Sequence, residues 1–558
     1  MKKQHILIRI IMFFLRGGLI VFELFLGFLL VLIVIVILVS KISPPDVDDI
    51  DVGERVQIAK DHYVIGENWL KKNEYGVWEM YIEGAPYERG VIYGKLAKEL
   101  VQKQETIFVG QIDNFVPSQT WQQFLRLMLG FFNRNLPSSM SLENQQEIYG
   151  VSQSFSDEYN YIASKYSRIL NYHAAHDIGH ALNDYSMVGC TSFAIKGEKT
   201  ADESLLVGRN FDFFVGEDFA REKLVLFVKP DEGYSFASYS WAGFTGVVSG
   251  LNDQGLSVTI NASKSDLPTG SKTPISIVAR EILQYASTIE EAIAIAKTRD
   301  TFVSETILVS SKKDGKAALI EKSPTKLGVF APETNTLICA NHYQSDVFAN
   351  DKINIDNIAE SDSKYRYNRM QDLLSQNDSL NILDAAKILR NQTGEHNDTL
   401  GMGNPRAINQ LIAHHSVVIQ PEELKFYITT SDFQLGAFKG YDLNTVFATK
   451  STESELQIDA DPFVHSDAYK SFQEYKEVKN RITGFITFDK ALDLSEADIK
   501  SFIASNSELY ITYEMLGRYF MKLGNKQQAK HYFEIALTKA VASKQIEEEF
   551  KKLIKECS

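Results

Sequence analysis

From Cys190 onward, apolar and polar side chains alternate in short runs broken by Gly, Pro and Asp, the pattern of strands with one face buried. Residues 190–196 (Cys-Thr-Ser-Phe-Ala-Ile-Lys) read as a strand, Gly197 to Glu203 as a turn, and residues 205–214 as the returning arm of a hairpin. Further strands are predicted at 224–228, 234–241, 246–250, 255–260, 305–310, 316–321 and 336–342, with a closing hairpin at 416–419 and 424–429. The spacing changes to helical between Gln119 and Tyr185 and again from Thr273 to Thr298, where Ile277, Ile282, Leu283, Ile289 and Ile293 share the buried side. Residues 60–189 are therefore expected to be mainly α. Thr452 to Asp461 is acidic and unpatterned, and beyond Ala468 the chain reads as helices, one opened by the capping-box sequence Ser495-Glu-Ala-Asp498. Strands mixed with helices make the chain α+β.

One segment stands outside this pattern. Gly17 to Ser40 is apolar apart from Glu23, and twenty-four residues of helix, about 36 Å, cross a hydrocarbon core of about 30 Å. Lys2, Lys3, Arg9 and Arg16 precede it and Asp46, Asp48, Asp49 and Asp51 follow, so the N-terminus is expected in the cytoplasm and the rest outside it. The run is longer than the core of a cleaved signal peptide and lacks an Ala-x-Ala end. The expected division is an anchor (1–43), a stalk and helical propeptide-like segment (44–189), a catalytic domain (190–450), a linker (451–468) and a helical region (469–558).

Composition removes some functions. With 58 Lys+Arg against 72 Asp+Glu, the net charge of −14 argues against a nucleic-acid partner. Cysteines 190, 339 and 557 are too few and too scattered for a disulfide framework or a zinc cluster. A reactive thiol remains. Folding the 190–214 hairpin about its turn brings Arg209 and Asp212 back beside Cys190, placing a thiol, a guanidinium and a carboxylate at one strand end. Gly189, lacking a Cβ, leaves its carbonyl open to attack by that thiol. Cleavage at Gly189-Cys190 would create an α-amino group of ordinary pKa about 7.7–8.0 on the nucleophile's own residue, where it can serve as the base.

Gly-Cys-Thr-Ser-Phe193 followed by Gly208-Arg-Asn-Phe-Asp212 resembles the nucleophile hairpin of the penicillin acyltransferase family of Ntn hydrolases, relatives of choloylglycine hydrolases. The resemblance runs from about Gly84 to Leu443. It takes in the glycine-bearing stretch Tyr81 to Gly90 with Gly94, and the closing strand pair before Gly436-Ala-Phe438. It implies a four-layer αββα sandwich, cleavage or transfer of acyl groups at linear amide C–N bonds, and maturation by self-cleavage. It further implies that Asn261 offers a backbone N–H and Asn341 a side-chain amide to the oxyanion, and that an arginine of Ser361 to Arg369, Arg366 or one turn on Arg369, lies near the centre. No cofactor is implied.

Some features fall outside that resemblance. His173, His176 and His180, with Asp177, share a helical face that could hold a metal, but no His-Glu-x-x-His pattern accompanies them, so packing is expected and a metal is not. His342 reads as a pocket residue. Tyr513, Leu516, Gly517, Phe520, Gly524, Ala529, Phe533 and Ala536 match one tetratricopeptide-like helix pair, a possible partner surface. Two other classes stay open: a phospholipase B-like lipid ester hydrolase, and an inactive anchored scaffold whose helical end does the work.

Overall fold

The computed structural model describes residues 23–116, 118–182, 189–213, 216–266, 270–376, 378–431 and 433–558. Among the described residues, eighteen strands form two sheets. The first runs β1 (Val56–Ala59), β2 (His62–Ile65), β3 (Asn68–Lys72), β4 (Trp78–Gly84), β7 (Lys223–Pro230), β8 (Phe236–Trp241), β9 (Ser249–Asn252), β10 (Leu256–Ala262), β11 (Glu305–Ser311), β12 (Lys316–Lys322) and β13 (Leu327–Phe330). The second runs β14 (Thr336–Cys339), β5 (Thr191–Gly197), β6 (Glu203–Phe211), β15 (His415–Gln420), β16 (Lys425–Thr429), β17 (Phe438–Asp442) and β18 (Gln457–Ile458). Neighbouring strands are antiparallel except β4 and β7, which pair in parallel.

The period-2 pattern of the strands sets the layering. Along β7, Val225 and Phe227 face the other sheet, where they meet Val207, Val417 and Ile419, while Leu224, Leu226 and Val228 face outward. Helices cover that outer face: α2 (Pro86–Leu96), α3 (Lys98–Phe115), α5 (Leu142–Ser152), α6 (Lys165–Leu182), α7 (Ile275–Tyr285) and α8 (Ile289–Thr298). On the far side, Phe193, Ile195, Leu206 and Val418 pack beneath α10 (Ser363–Ser375) and α11 (Ile382–Leu389). The result is helix, sheet, sheet, helix, with α9 (Lys352–Glu360) and α12 (Leu443–Thr449) at the edges.

The sequence expectations need three corrections. Residues 56–84 are not helical; they supply four strands of the larger sheet, so the propeptide-like segment is built into the sandwich. The single helix expected at 273–298 is two, because Thr288 caps a new helix with Glu291 in a complete capping box. The expected linker is tied down: β18 pairs with β17, and the Thr452 hydroxyl donates to buried Glu79. Within the 81–94 stretch, Gly90 serves packing, since a Cβ there would overlap the carbonyl of Glu147 where α2 crosses α5.

Residues 23–39 are helical (α1) and expose apolar side chains such as Leu24, Phe28 and Leu30. No helix among the described residues is long and apolar enough to cross a membrane, and residues 17–22 of the expected span lie outside the described residues. Near the end of α1, helix α4 (Gln119–Phe132) buries none of its residues and exposes Trp121, Phe124, Met128 and Phe131.

The C-terminal helices α13 (Asp467–Phe488), α14 (Glu496–Ser505), α15 (Tyr510–Lys522), α16 (Lys526–Ala536) and α17 (Lys544–Cys557) share a core of their own. Gly517 lets α15 approach Phe533 of α16, whose ring a Cβ would meet at 2.6 Å. This core also takes in Leu411 and Leu435, and the Asn506 side chain bonds both the N–H and the carbonyl of Met402. The helices therefore clamp the 400–411 loop.

Candidate active site

The predicted hairpin forms in register: Thr191 pairs with Asn210 and Ser192 with Arg209. Beyond the last pair, the Gly189 N–H donates to the Asp212 carbonyl at 3.3 Å, so Gly189, Cys190 and Asp212 stay together at the strand end. Cys190 is 1% exposed, and its Sγ lies 3.8 Å from Arg209 Nη2 and 4.0 Å from the Asp212 carbonyl oxygen. Burial, opposed by Arg209 and reinforced by Asp212 and Glu305, pushes the thiol up to about 11. In the uncut chain the thiol is protonated at neutral pH.

Arg209 does not bond Asp212. Its guanidinium donates to Ser249 Oγ at 2.7 Å and to the Ile260 carbonyl. Ser249 Oγ–H in turn donates to His415 Nε2 at 2.9 Å, which leaves His415 Nδ1–H to donate to His414 Nδ1, also at 2.9 Å. Burial holds both histidines well below the usual range, and Arg209 adds to it. The guanidinium thus rests on neutral acceptors and keeps its charge for the sulfur.

Among the described residues neither carboxylate oxygen of Asp212 makes a hydrogen bond of good geometry, the Gln434 amide giving only a weaker polar contact, and the residue is fully buried. Desolvation raises its carboxyl to about 7, against the pull of Arg366 and Arg209. Arg366 is the arginine that reaches the centre. Its Nη1 donates to the Cys190 carbonyl at 2.8 Å and to Thr191 Oγ1 at 2.9 Å, and its Nη2 to Asn341 Oδ1 at 2.7 Å. Arg369, one turn on, bonds Asn391, Thr393 and Asn397 instead.

Asn341 follows β14 and donates one amide proton to the Ala262 carbonyl at 2.8 Å, leaving a second on the same nitrogen. The Asn261 side chain joins three elements: Ser192 Oγ donates to its Oδ1 at 2.8 Å, and its amide donates to the carbonyls of Cys339 and Ala340 at 3.2 Å each. Cys190, Arg209, Asp212, Asn261, Asn341 and Arg366 therefore converge on the end of the β5–β6 hairpin.

The histidines do other work. Thr245 N–H donates to His173 Nε2 at 3.0 Å, so Nδ1 carries the proton and donates to the Ile169 carbonyl at 2.9 Å. Burial lowers that ring to about 4, and it stacks on Phe244. The side chains of His176, Asp177 and His180 lie outside the described residues, and among the described residues no group of His, Cys, Asp or Glu could hold a metal. His342 bonds Ser363 Oγ at 2.7 Å and is lowered to about 3, chiefly by burial, which unsuits it as a base. A cavity of about 320 Å³ opens at the other end of the hairpin, beside Lys196, Lys316 and Asn335.

The sequence reading missed Ser249, His415 and Gln410. The last two belong to the polar positions of the run Asn409-Gln-Leu-Ile-Ala-His-His415 that leads into β15, their only signal.

The family model described as acyl-coenzyme A:6-aminopenicillanic acid acyl-transferase matches residues 198–433, a segment that begins after Cys190. The chain is thus similar to the penicillin acyltransferase family. A protein of Archaeoglobus fulgidus described only as uncharacterized is 26% identical over 274 residues, 46% of this chain; the chain spans about half, 45%, of that relative's length. Among solved structures, an N-acylethanolamine-hydrolyzing acid amidase ortholog of Caenorhabditis elegans is 16% identical, with TM-score 0.31, over 42% of this chain and 93% of its own. A conjugated bile acid hydrolase of Clostridium perfringens is 13% identical, with TM-score 0.31, over 48% and 95%. Penicillin V acylase of Agrobacterium tumefaciens is 15% identical, with TM-score 0.30, over 46% and 86%.

Proposed function

We propose that this chain is a membrane-anchored cysteine hydrolase or acyltransferase of linear amide C–N bonds, matured by its own cleavage between Gly189 and Cys190. One observation carries the reading: Asp212, bonded to Gly189 through its backbone, is a buried carboxylate that among the described residues has no ion pair and only a weak polar contact from Gln434, set where cleavage would create an α-ammonium. A buried anion left unpaired is costly, and a cation formed beside it offsets that cost.

In the cleaved enzyme the α-amino group takes the Cys190 thiol proton, and Arg209 steadies the thiolate at the 3.8 Å contact already present. The thiolate attacks the acyl carbonyl. Its oxygen takes the free amide proton of Asn341, a donor worth about 3–4 kcal/mol; the Asn261 N–H, expected as a second donor, instead faces the Thr306 carbonyl in the β10–β11 ladder. Arg366 positions both partners, gripping the Cys190 carbonyl with one arm and Asn341 Oδ1 with the other. The amine departs with a proton from the α-ammonium, and water or another amine then releases the acyl group from sulfur.

Residues 17–40 are proposed as the anchor, with the N-terminus cytoplasmic and the catalytic domain outside. The exposed apolar faces of α1 and α4 support this, as does their contact: a Cβ on Gly130 of α4 would lie 3.5 Å from Ser40. The α15–α16 pair is read as one tetratricopeptide-like repeat docked on the domain.

Purified protein exposed to a panel of acyl amides and phospholipids should gain an acyl adduct on Cys190, read by mass spectrometry, from amides before esters. Adducts from phospholipids alone would favour a lipid esterase. No adduct, with the chain a single 63.0 kDa band in denaturing electrophoresis, would leave the scaffold reading.

A further inference from the structure

Gln410 is buried on the loop ahead of β15, and its Nε2–H donates to the carbonyl oxygen of Gly189 at 2.9 Å. That carbonyl is the one Cys190 must attack to cut the chain. A Cβ on Gly189 would overlap the Gln410 amide, so only glycine lets the donor reach the oxygen. The groups assigned to substrate turnover point elsewhere: Asn341 donates to the Ala262 carbonyl, and Arg366 holds the carbonyl of Cys190, on the other side of the scissile bond.

We infer that Gln410 is the oxyanion donor of self-cleavage, so that the chain cuts itself with one donor and turns over substrate with others. The inference rests on the maturation proposed above and assigns it a residue. Cys190 Sγ attacks the Gly189 carbonyl carbon, and the carbonyl oxygen takes up negative charge against Gln410 Nε2–H. The C–N bond to Cys190 then breaks and the thiol proton ends on the departing nitrogen. Water hydrolyses the thioester to a Gly189 carboxylate, restoring the thiol beside a free α-ammonium.

A donor at a developing oxyanion has a signature that packing lacks. In Gln410→Glu the neutral acid can still donate, whereas the carboxylate cannot and repels the charge. Self-cleavage of the full chain, made by cell-free synthesis, is followed over time by denaturing electrophoresis and mass spectrometry across a pH series. Wild type should cleave faster as pH rises and the thiolate grows, and Gln410→Ala should cleave about 100-fold more slowly. Gln410→Glu, isosteric and carrying the test if the alanine variant misfolds, should cleave only at acid pH and lose cleavage as pH rises. Cleavage of both Gln410 variants at wild-type rates and with the wild-type pH trend would overturn the assignment. A wild-type chain that stays whole would overturn the maturation itself, a distinguishable result.

Discussion

Replacing Asp212 with Asn in an uncleavable Cys190→Ala chain should stabilise the precursor, and the gain should depend on pH. In the uncut chain the carboxyl is buried without an ion pair among the described residues, with only a weak contact from Gln434, and is raised to about 7 from an ordinary 3.8, chiefly by desolvation. Arg366, Arg209 and Asp362, the charges that act on it, all survive the Cys190 substitution. A carboxyl raised on folding keeps its proton in the folded state while the unfolded chain releases it. Its contribution to stability is therefore full below 3.8 and falls as pH rises, until it is lost above about 7. About three units at 1.36 kcal/mol each put the ceiling near 4 kcal/mol at pH 8, of which roughly 2 is already present at pH 5. Asn does not titrate, so its advantage over Asp should grow by about 2 kcal/mol between those values. Scanning calorimetry of the two chains at both pH values reads this as a gap in Tm, a few degrees wide at pH 8 and narrower at pH 5. An Asn variant that melts below its parent, or by the same margin at both pH values, would refute the claim that Asp212 awaits a cation. In the cleaved enzyme the α-ammonium should hold the carboxylate ionised, and the decline toward pH 8 should disappear.

Other outcomes follow from single contacts. Asn341→Ala should lower kcat/KM by about 100-fold or more on the best acyl amide, measured on protein confirmed as cleaved. Arg366→Lys, which cannot serve the Cys190 carbonyl, Thr191 and Asn341 from one planar fork, should lower kcat far more than it changes KM. Gly90→Ala must push α2 off α5 and should lower the melting temperature by an amount equivalent to about 2 kcal/mol or more, with Gly110→Ala, where nothing lies within 4 Å, as the neutral control. Removing residues after 468 should slow self-cleavage as well as expose the 400–411 loop to protease, because Leu411 and Met402 lose their partners.

Where pattern and tertiary contact agree, the sequence was legible. The 190–214 hairpin could be read because its alternation is local and its turn residues leave few alternatives. Strands 56–84 could not: Val56 and Ile58 are exposed, and the burial of β4 comes from its parallel partner β7, far along the chain. The break at 287–288 was written in Thr288 and Glu291, yet the apolar spacing runs through it and hid the cap. Arg366 and Arg369 sit one turn apart on α10, and only the packing of that helix decides that one meets Cys190 and the other Asn391. Gln410 had no periodicity to betray it; a loop held by distant helices put it there.

That loop ties catalysis to helices far downstream of the nucleophile. Gln410 reaches across from 221 residues downstream, and its neighbours are pinned by helices that end at Cys557. A nascent or misassembled molecule would lack the group that opens its own backbone and would remain a silent zymogen with its sulfur shut away. Activation would then serve as a proofreading step, granted only to molecules whose downstream helices have already folded against the loop.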